Sequence, residues 1–404
     1  MMLQTRFTIG FGQAQLLLAG LIARLGPERI LLALLPLVLL AWNPGVFVSP
    51  LSIDPWVYFG YYLNLPEFLK LYDGLYYTTR LSTIVPGYLL YQIFPPLLAN
   101  FVLHLGLYWI SVGCLYGTLR DTVERRAAFV AAFLLGCHPY FLNAVGWDYV
   151  DGFGIAYCLL TAWLLTKASR SSHWHWYLFA AGAAAFALGV ANISYFLFVP
   201  FLVGHYVVLN RQWRRDSLLL AACWFGLGIV ALQVLLGIIS YSLAGRFWFL
   251  LPSFTWLHGF TREAGPNPWQ LPVSQWWMKA SWLVFPFLGG VGAAALLLQR
   301  WRRGVAAASG IVVYYQFQLL ALLLLFLCAT WLARAPMLQF VHYASLLMPA
   351  TFLALGGQSR ALFAGLSPET SRQYTVGAGL LFTASILLGP TLAWLVAWND
   401  KLPL

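Results

Sequence analysis

The apolar residues of this chain run together; they neither alternate nor recur on one helical face. Stretches such as RILLALLPLVLLAWNPGVFV (29–48) and SLLLAACWFGLGIVALQVLLGIIS (217–240) hold almost no charge, and each reaches the roughly 20 residues that an α-helix needs to cross a bilayer. Marking every such run gives about eleven spans, near 30–48, 97–119, 127–145, 152–168, 176–191, 193–210, 217–240, 281–299, 309–332, 338–357 and 374–397. The fifth and sixth meet through ANIS (191–194) and read either as two spans or as one broken helix. The pattern therefore predicts an all-α polytopic membrane protein, with one transmembrane domain over 1–404. Two polar-aromatic segments, 49–96 and 241–280, are too long to be turns. Within the first, LYYTTRLSTIVPGYLLYQIFPP (75–96) is apolar but broken by Pro86, Pro95 and Pro96, which predicts a juxtamembrane helix instead of a further span. The stripe AGAAAFALG (181–189) predicts a face for close helix packing.

Composition agrees with the pattern. The 404 residues are 61% hydrophobic and only 9% charged, far below the roughly 25% charged residues of soluble domains. The first 26 residues carry no small-residue cleavage site and read as a cytoplasmic amphipathic lead-in. The five cysteines all sit in apolar runs without a C-x-x-C pair, so they read as buried single thiols. No phosphate-binding glycine loop, zinc spacing or G-x-S-x-G elbow is present.

Charge sets the orientation. With the N-terminus cytoplasmic, the inner segments collect sixteen of the 23 basic residues, including RDTVERR, RQWRRD and QRWRRG, but only five of the twelve acids. The whole net charge of +11 then lies inside, as the positive-inside rule requires. The segments 49–96 and 241–280 face outward, and the basic clusters are accounted for by anionic lipid, which leaves nucleic acid without a role.

Acids on the outer side are few. Asp54 opens the first outer segment in SPLSIDPWVYFGYY, and Asp148 and Asp151 sit in NAVGWDYVDGFGIAY, between the third and fourth spans. Asp54 precedes Pro55 and Asp151 opens an apolar run, so each also suits a helix cap. For Asp151 alone capping and function stand level. Taken together the two acids favour function, because ionisable groups at membrane depth are costly. The outer bases Arg80, His258, Arg262, Arg334 and His342 have the chemistry to hold an anionic head group. Each would alternatively snorkel to lipid phosphate. His104, His138 and His205 lie in or beside spans and are expected to hydrogen-bond neighbouring helices.

In their order and sidedness these motifs resemble the GT-C membrane glycosyltransferases, nearest the bacterial relatives of protein O-mannosyltransferases and the lipid A aminoarabinose transferase. SIDPWVYFGYY matches the acid that follows the first span, TTRLSTIVPGYLLYQIF the basic residue before a proline-containing helix, and YVDGFGIAYCLL the second acid. VHYASLLMPATFLALGG is similar to a late helix start of the family. The resemblance implies a transferase at the inner membrane of a bacterium, its site facing the periplasm or exterior, that moves a sugar from a polyprenyl-phosphate donor to a hydroxyl of a glycan, lipid or protein, with inversion. Asp54 would be the catalytic base, Asp151 and Asp148 would position base or acceptor, and Arg80, His258, Arg262, Arg334 and His342 would hold the donor phosphate. The scheme requires no cofactor and leaves room for a divalent cation between Asp54 and Asp151. The soluble C-terminal domain of some family members is not expected here, since the chain ends in WNDKLPL. The competing classes are a transporter or flippase, for which Gln233, Gln316 and Gln318 are the few midplane candidates, and a non-catalytic lipid-binding subunit.

Overall fold

The computed structural model describes residues 26–42, 53–146, 149–210, 215–262, 283–303, 310–332 and 345–363. Among them the chain is helical throughout, with no strand. The helices are α1 (Pro27–Trp42), α2 (Ile53–Leu63), α3 (Leu65–Leu71), α4 (Leu81–Ile93), α5 (Pro96–Thr122), α6 (Arg125–Cys137), α7 (Pro139–Gly146), α8 (Val150–Ala168), α9 (Trp174–Ala191), α10 (Val199–Leu209), α11 (Arg215–Ala244), α12 (Leu251–Arg262), α13 (Val284–Arg303), α14 (Gly310–Leu332) and α15 (Leu347–Phe363). Short 3₁₀ turns cover Tyr76–Thr79 and Ile193–Phe198. Among the described residues five helices are long and apolar enough to cross a bilayer, and α6 with α7 makes a sixth if that bent pair is one span. The eleventh predicted span, 374–397, and the 1–25 lead-in lie outside the described residues.

Three departures from uniform spans have local causes. The predicted span 127–145 is bent by 60° between α6 and α7, where Pro139 supplies no N–H and its ring blocks the preceding turn. The chain also breaks at Asn192, whose side chain accepts from Ser194 N at 3.1 Å, so α9 and α10 are separate helices joined by a 3₁₀ turn. In α4, Pro86 has no N–H to offer the carbonyl of Ser82, four residues back. Tyr157 on α8 takes that role, its hydroxyl donating to Ser82 O at 2.6 Å, and the Ser82 hydroxyl reaches Ala187 O on α9 at 2.8 Å. The helix-breaking residue thereby docks α4 on the bundle. At 13 residues α4 is too short to span.

The bundle packs as α5, α6, α8, α9 and α11 on one side and α13, α14 and α15 on the other, joined through α6–α15 and α10–α14. Helices α9 and α11 approach closest at the small-residue stripe: a Cβ on Gly182 would run into the carbonyl oxygen of Phe225, and one on Gly228 into that of Phe179. Gln316 donates to Ala354 O at 2.8 Å, and Gln358 donates to Gln316 Oε1 at 3.0 Å and Gly289 O at 2.9 Å. These amides stitch α13, α14 and α15 together, so Gln316 serves packing. His205 meets its expected partner, Thr166 Oγ1, at 2.9 Å. His138 packs its ring on Phe285 and Phe352.

The polar groups sort to two ends. At one, Glu28 accepts from Tyr116 and from Arg125, each at 2.7 Å, and Asp121 bridges Arg120 and Lys167, each at 2.7 Å. The charged residues among these all belong to the predicted inner segments, and Tyr116 lies at the adjoining end of the span predicted over 97–119. At the other end lie Asp54, Arg80 and Asp151. Asp151 in the first turn and Lys167 in the last turn mark opposite ends of α8, about 24 Å apart at 1.5 Å per residue.

Closeness at the glycines sets a test. Gly182→Ala and Gly228→Ala should each cost about 1–3 kcal/mol by overpacking, read as a lowered melting temperature in detergent. Gly226→Ala, where a Cβ meets nothing within 4 Å, should be neutral or slightly stabilising. Equal effects at all three would dismiss close packing as the stripe's role.

Candidate active site

Asp54 lies in the first turn of α2, where the helix dipole favours a negative charge. Its Oδ1 accepts from the Tyr77 hydroxyl at 2.5 Å. Burial, and then the bond to Asp54, push the Tyr77 phenol well above its ordinary value, so it remains a protonated donor. Tyr77 and its stacked neighbour Tyr76, with ring centroids 4.1 Å apart, sit in the 3₁₀ turn that ends at Arg80.

Arg80 turns inward. It is 7% exposed, and its Nη1 donates to the Tyr58 hydroxyl at 2.5 Å. The guanidinium lies 4.8 Å from the centre of the Tyr76 ring, 5.2 Å from Tyr149 and 5.8 Å from Tyr58, distances at which the ring faces attract a cation. Tyr58 is four residues after Asp54 on α2, so the two share a helix face, while the tight 3₁₀ turn brings Tyr76 back to Arg80. Tyr149 comes from the N-cap of α8. The donor-phosphate role would need a guanidinium open to its ligand, and the structure encloses this one in tyrosines.

Asp151 is on the far side of the cage. It lies in the first turn of α8, where Tyr149 is the N-cap and no side-chain cap bond forms; the capping alternative is therefore not what the helix does with it. Its side chain is fully buried and within electrostatic reach of Arg80. Tyr195 donates to its Oδ1 at 3.4 Å and is in turn 2.9 Å from the Ser345 hydroxyl. Since Tyr195 has one proton, spent on the acid, Ser345 is the donor to Tyr195. Asp151 Oδ2 has no partner among the described residues. A buried carboxylate oxygen left in this state is costly, and a hydroxyl placed against it would satisfy it.

The local sequence explains the placement. In DGFG (151–154) a Cβ on Gly152 would strike the backbone of Ala144, and one on Gly154 the ring of Tyr195. The first glycine seats α8 on α7; the second makes room for the tyrosine that reaches Asp151. The second outer segment also arrives here, since Ser253 on α12 hydrogen-bonds Thr79. His258 is on the exposed side of α12, and the Arg262 backbone ends that helix. Asp148, Arg334, His342 and the Arg262 side chain lie outside the described residues. Tyr58, Tyr76, Tyr77 and Tyr149 complete the site that sequence reasoning began. The contribution of Tyr195 and Ser345 was signalled only by the glycine at 154.

Comparison with known proteins gives the class. Residues 80–241 match a family model described as dolichyl-phosphate-mannose-protein mannosyltransferase, a segment that begins at Arg80 and includes Asp151 and Tyr195. YkcB of Bacillus subtilis (strain 168), a proposed mannosyltransferase, is 25% identical over 124 residues. That alignment covers 30% of this chain and 17% of YkcB. An oligosaccharyltransferase of Archaeoglobus fulgidus is similar in structure at a TM-score of 0.48 and 14% identity, over 92% of this chain and 53% of that one. The family match points to the GT-C class of membrane glycosyltransferases, the class that the sequence resembles.

Tyr195→Phe removes one hydroxyl and leaves the buried acid without its donor. It should lower stability by about 1–3 kcal/mol, measured by thermal unfolding, and Gly154→Ala should act in the same direction by displacing the ring. Unchanged melting in both variants would separate Tyr195 from Asp151.

Proposed function

We propose that this protein transfers a sugar from a polyprenyl-phosphate donor to an acceptor hydroxyl at the extracytoplasmic face of the membrane, with inversion at the sugar carbon. The observation that carries the reading is the gathering of two acids from distant segments, Asp54 and Asp151, around one buried arginine at one end of the bundle. The family match to a mannosyltransferase model supports it. The outward direction of that end rests on the distribution of basic residues.

The chemistry follows from the groups present. A phosphate leaves as a stable anion and needs cationic stabilisation, not a general acid. The acceptor hydroxyl is a poor nucleophile until a carboxylate takes its proton. Asp54, partly exposed and oriented by Tyr77, is assigned as that base. Asp151, with Oδ2 unpartnered, orients the acceptor or the base, as would Asp148. His258, Arg262, Arg334 and His342 are assigned to the donor phosphate. Arg80 acts as the counter-charge of Asp151 and adjoins Asp54 through Tyr76 and Tyr77. A divalent cation between Asp54 and Asp151 would duplicate that charge, so the scheme calls for no cofactor, and chelation with EDTA should leave turnover within about twofold.

Asp54→Asn keeps shape but cannot accept the proton as a carboxylate does. The variant should fold and bind donor while turnover, assayed with a polyprenyl-phosphate sugar, falls about 10²–10⁴-fold. Tyr77→Phe should fall less, because it loses only orientation. Near wild-type turnover in well-folded Asp54→Asn would end the assignment of the base; absence of any turnover with wild-type protein across polyprenyl-phosphate sugars would remove the donor class.

A further inference from the structure

Beside the acids lies a groove that the transfer scheme leaves unused. It has a volume of about 760 Å³, within the usual size of small-ligand sites, and it separates two turns. One turn ends α3 and carries Asp73 and Gly74; the other follows α11 and carries Gly245 and Arg246. Gly74 at φ 81° and Gly245 at φ 71° are both left-handed, a conformation open to glycine at little cost. Each glycine adjoins one member of an ion pair that crosses between the turns, Arg246 Nη2 to Asp73 Oδ2 at 2.7 Å. The turns are thus built to bring a donor and an acceptor side by side, both about half exposed.

Aromatic rings supply part of the lining, beside Leu75, Leu251, Pro252 and Thr255. Tyr76, Phe247 and Trp248 border the groove, with Trp248 packed edge-on to Phe247 at 5.2 Å and itself 65% exposed. The groove is continuous with the site: Tyr76 stacks on Tyr77, which holds Asp54, while its ring lies over Arg80. A ligand in the groove is two tyrosines, Tyr76 and Tyr77, away from the proposed base.

Charge decides what the ligand is. Asp73 already neutralises Arg246, and a phosphate placed there would have to displace one carboxylate while remaining beside it. A hydroxyl suits the pair, because it donates to Asp73 and accepts from Arg246 at once. Flat rings next to paired hydroxyl partners match a pyranose, whose C–H faces are apolar and whose edges are polar. We infer that the groove between the two outer segments binds a neutral sugar ring of the acceptor, stacked on Trp248 beside Tyr76 and hydrogen-bonded by Asp73 and Arg246. This deepens the transfer reading and rests on it for the ring's role as acceptor; binding of the ring needs no turnover.

The test uses the full chain in nanodiscs and saturation-transfer NMR with methyl α-glycosides of mannose, glucose and galactose. At least one should receive saturation, reduced about fivefold or more in Trp248→Ala and in Asp73→Ala and kept within about twofold in Trp248→Phe, which retains a ring. Inorganic phosphate should not displace the glycoside from wild type. No saturation of any glycoside would overturn the inference. So would signals equal in wild type and both alanine variants, which would make Trp248 a membrane-interface anchor only, or displacement by phosphate in wild type. Glycoside binding without turnover on any polyprenyl-phosphate sugar would refute the transfer reading and leave the sugar groove standing; turnover without glycoside binding would do the reverse.

Discussion

A buried guanidinium has to be solvated by the protein, and much of this structure follows from how Arg80 is solvated. Taking such a charge out of water costs several kcal/mol unless partners surround it. Here three tyrosines and the field of a buried acid replace the water. Those partners come from α2, the 3₁₀ turn before α4, and the N-terminus of α8. Holding one cation therefore fixes three segments that the chain supplies nearly a hundred residues apart, and Asp54 and Asp151 inherit their positions from it.

The acids differ in what the cage does for them. Asp54 keeps partial access to solvent at a helix N-terminus. Asp151 has none; among the described residues its hydrogen bond arrives through Tyr195 from Ser345, just before α15. The site thus draws on both halves of the bundle, and the α6–α15 and α10–α14 contacts bear on its geometry although no residue of theirs is in it.

The sequence made some of this legible and not the rest, for reasons of distance along the chain. Asp54, Arg80 and Asp151 stand out because charge is rare in apolar surroundings, and the positive-inside tally grouped the segments that do meet at each end. Tyr58 is recoverable from its four-residue spacing to Asp54 on one helix; Tyr76 is not, because a 3₁₀ turn places it. Nor is Tyr195: its relation to Asp151 is made by tertiary packing, with a glycine in DGFG as its only trace. Arg80 was read as open to a ligand because sequence reports its charge and not its burial. The bend at Pro139 and the docking of α4 through Ser82 likewise depend on partners that pattern alone does not name.

Helix α8 is held at both tips, Asp151 by the tyrosine and arginine above and Lys167 by Asp121 below. Anchored this way it behaves as a ruler: sliding along its axis would break a polar contact at one end whichever way it moved. A bilayer thicker or thinner than the bundle must then be met by tilt of the whole bundle or by deformation of the lipid. The distance between the two acids and the ion pairs at the other end is consequently a property of the protein, constant from membrane to membrane.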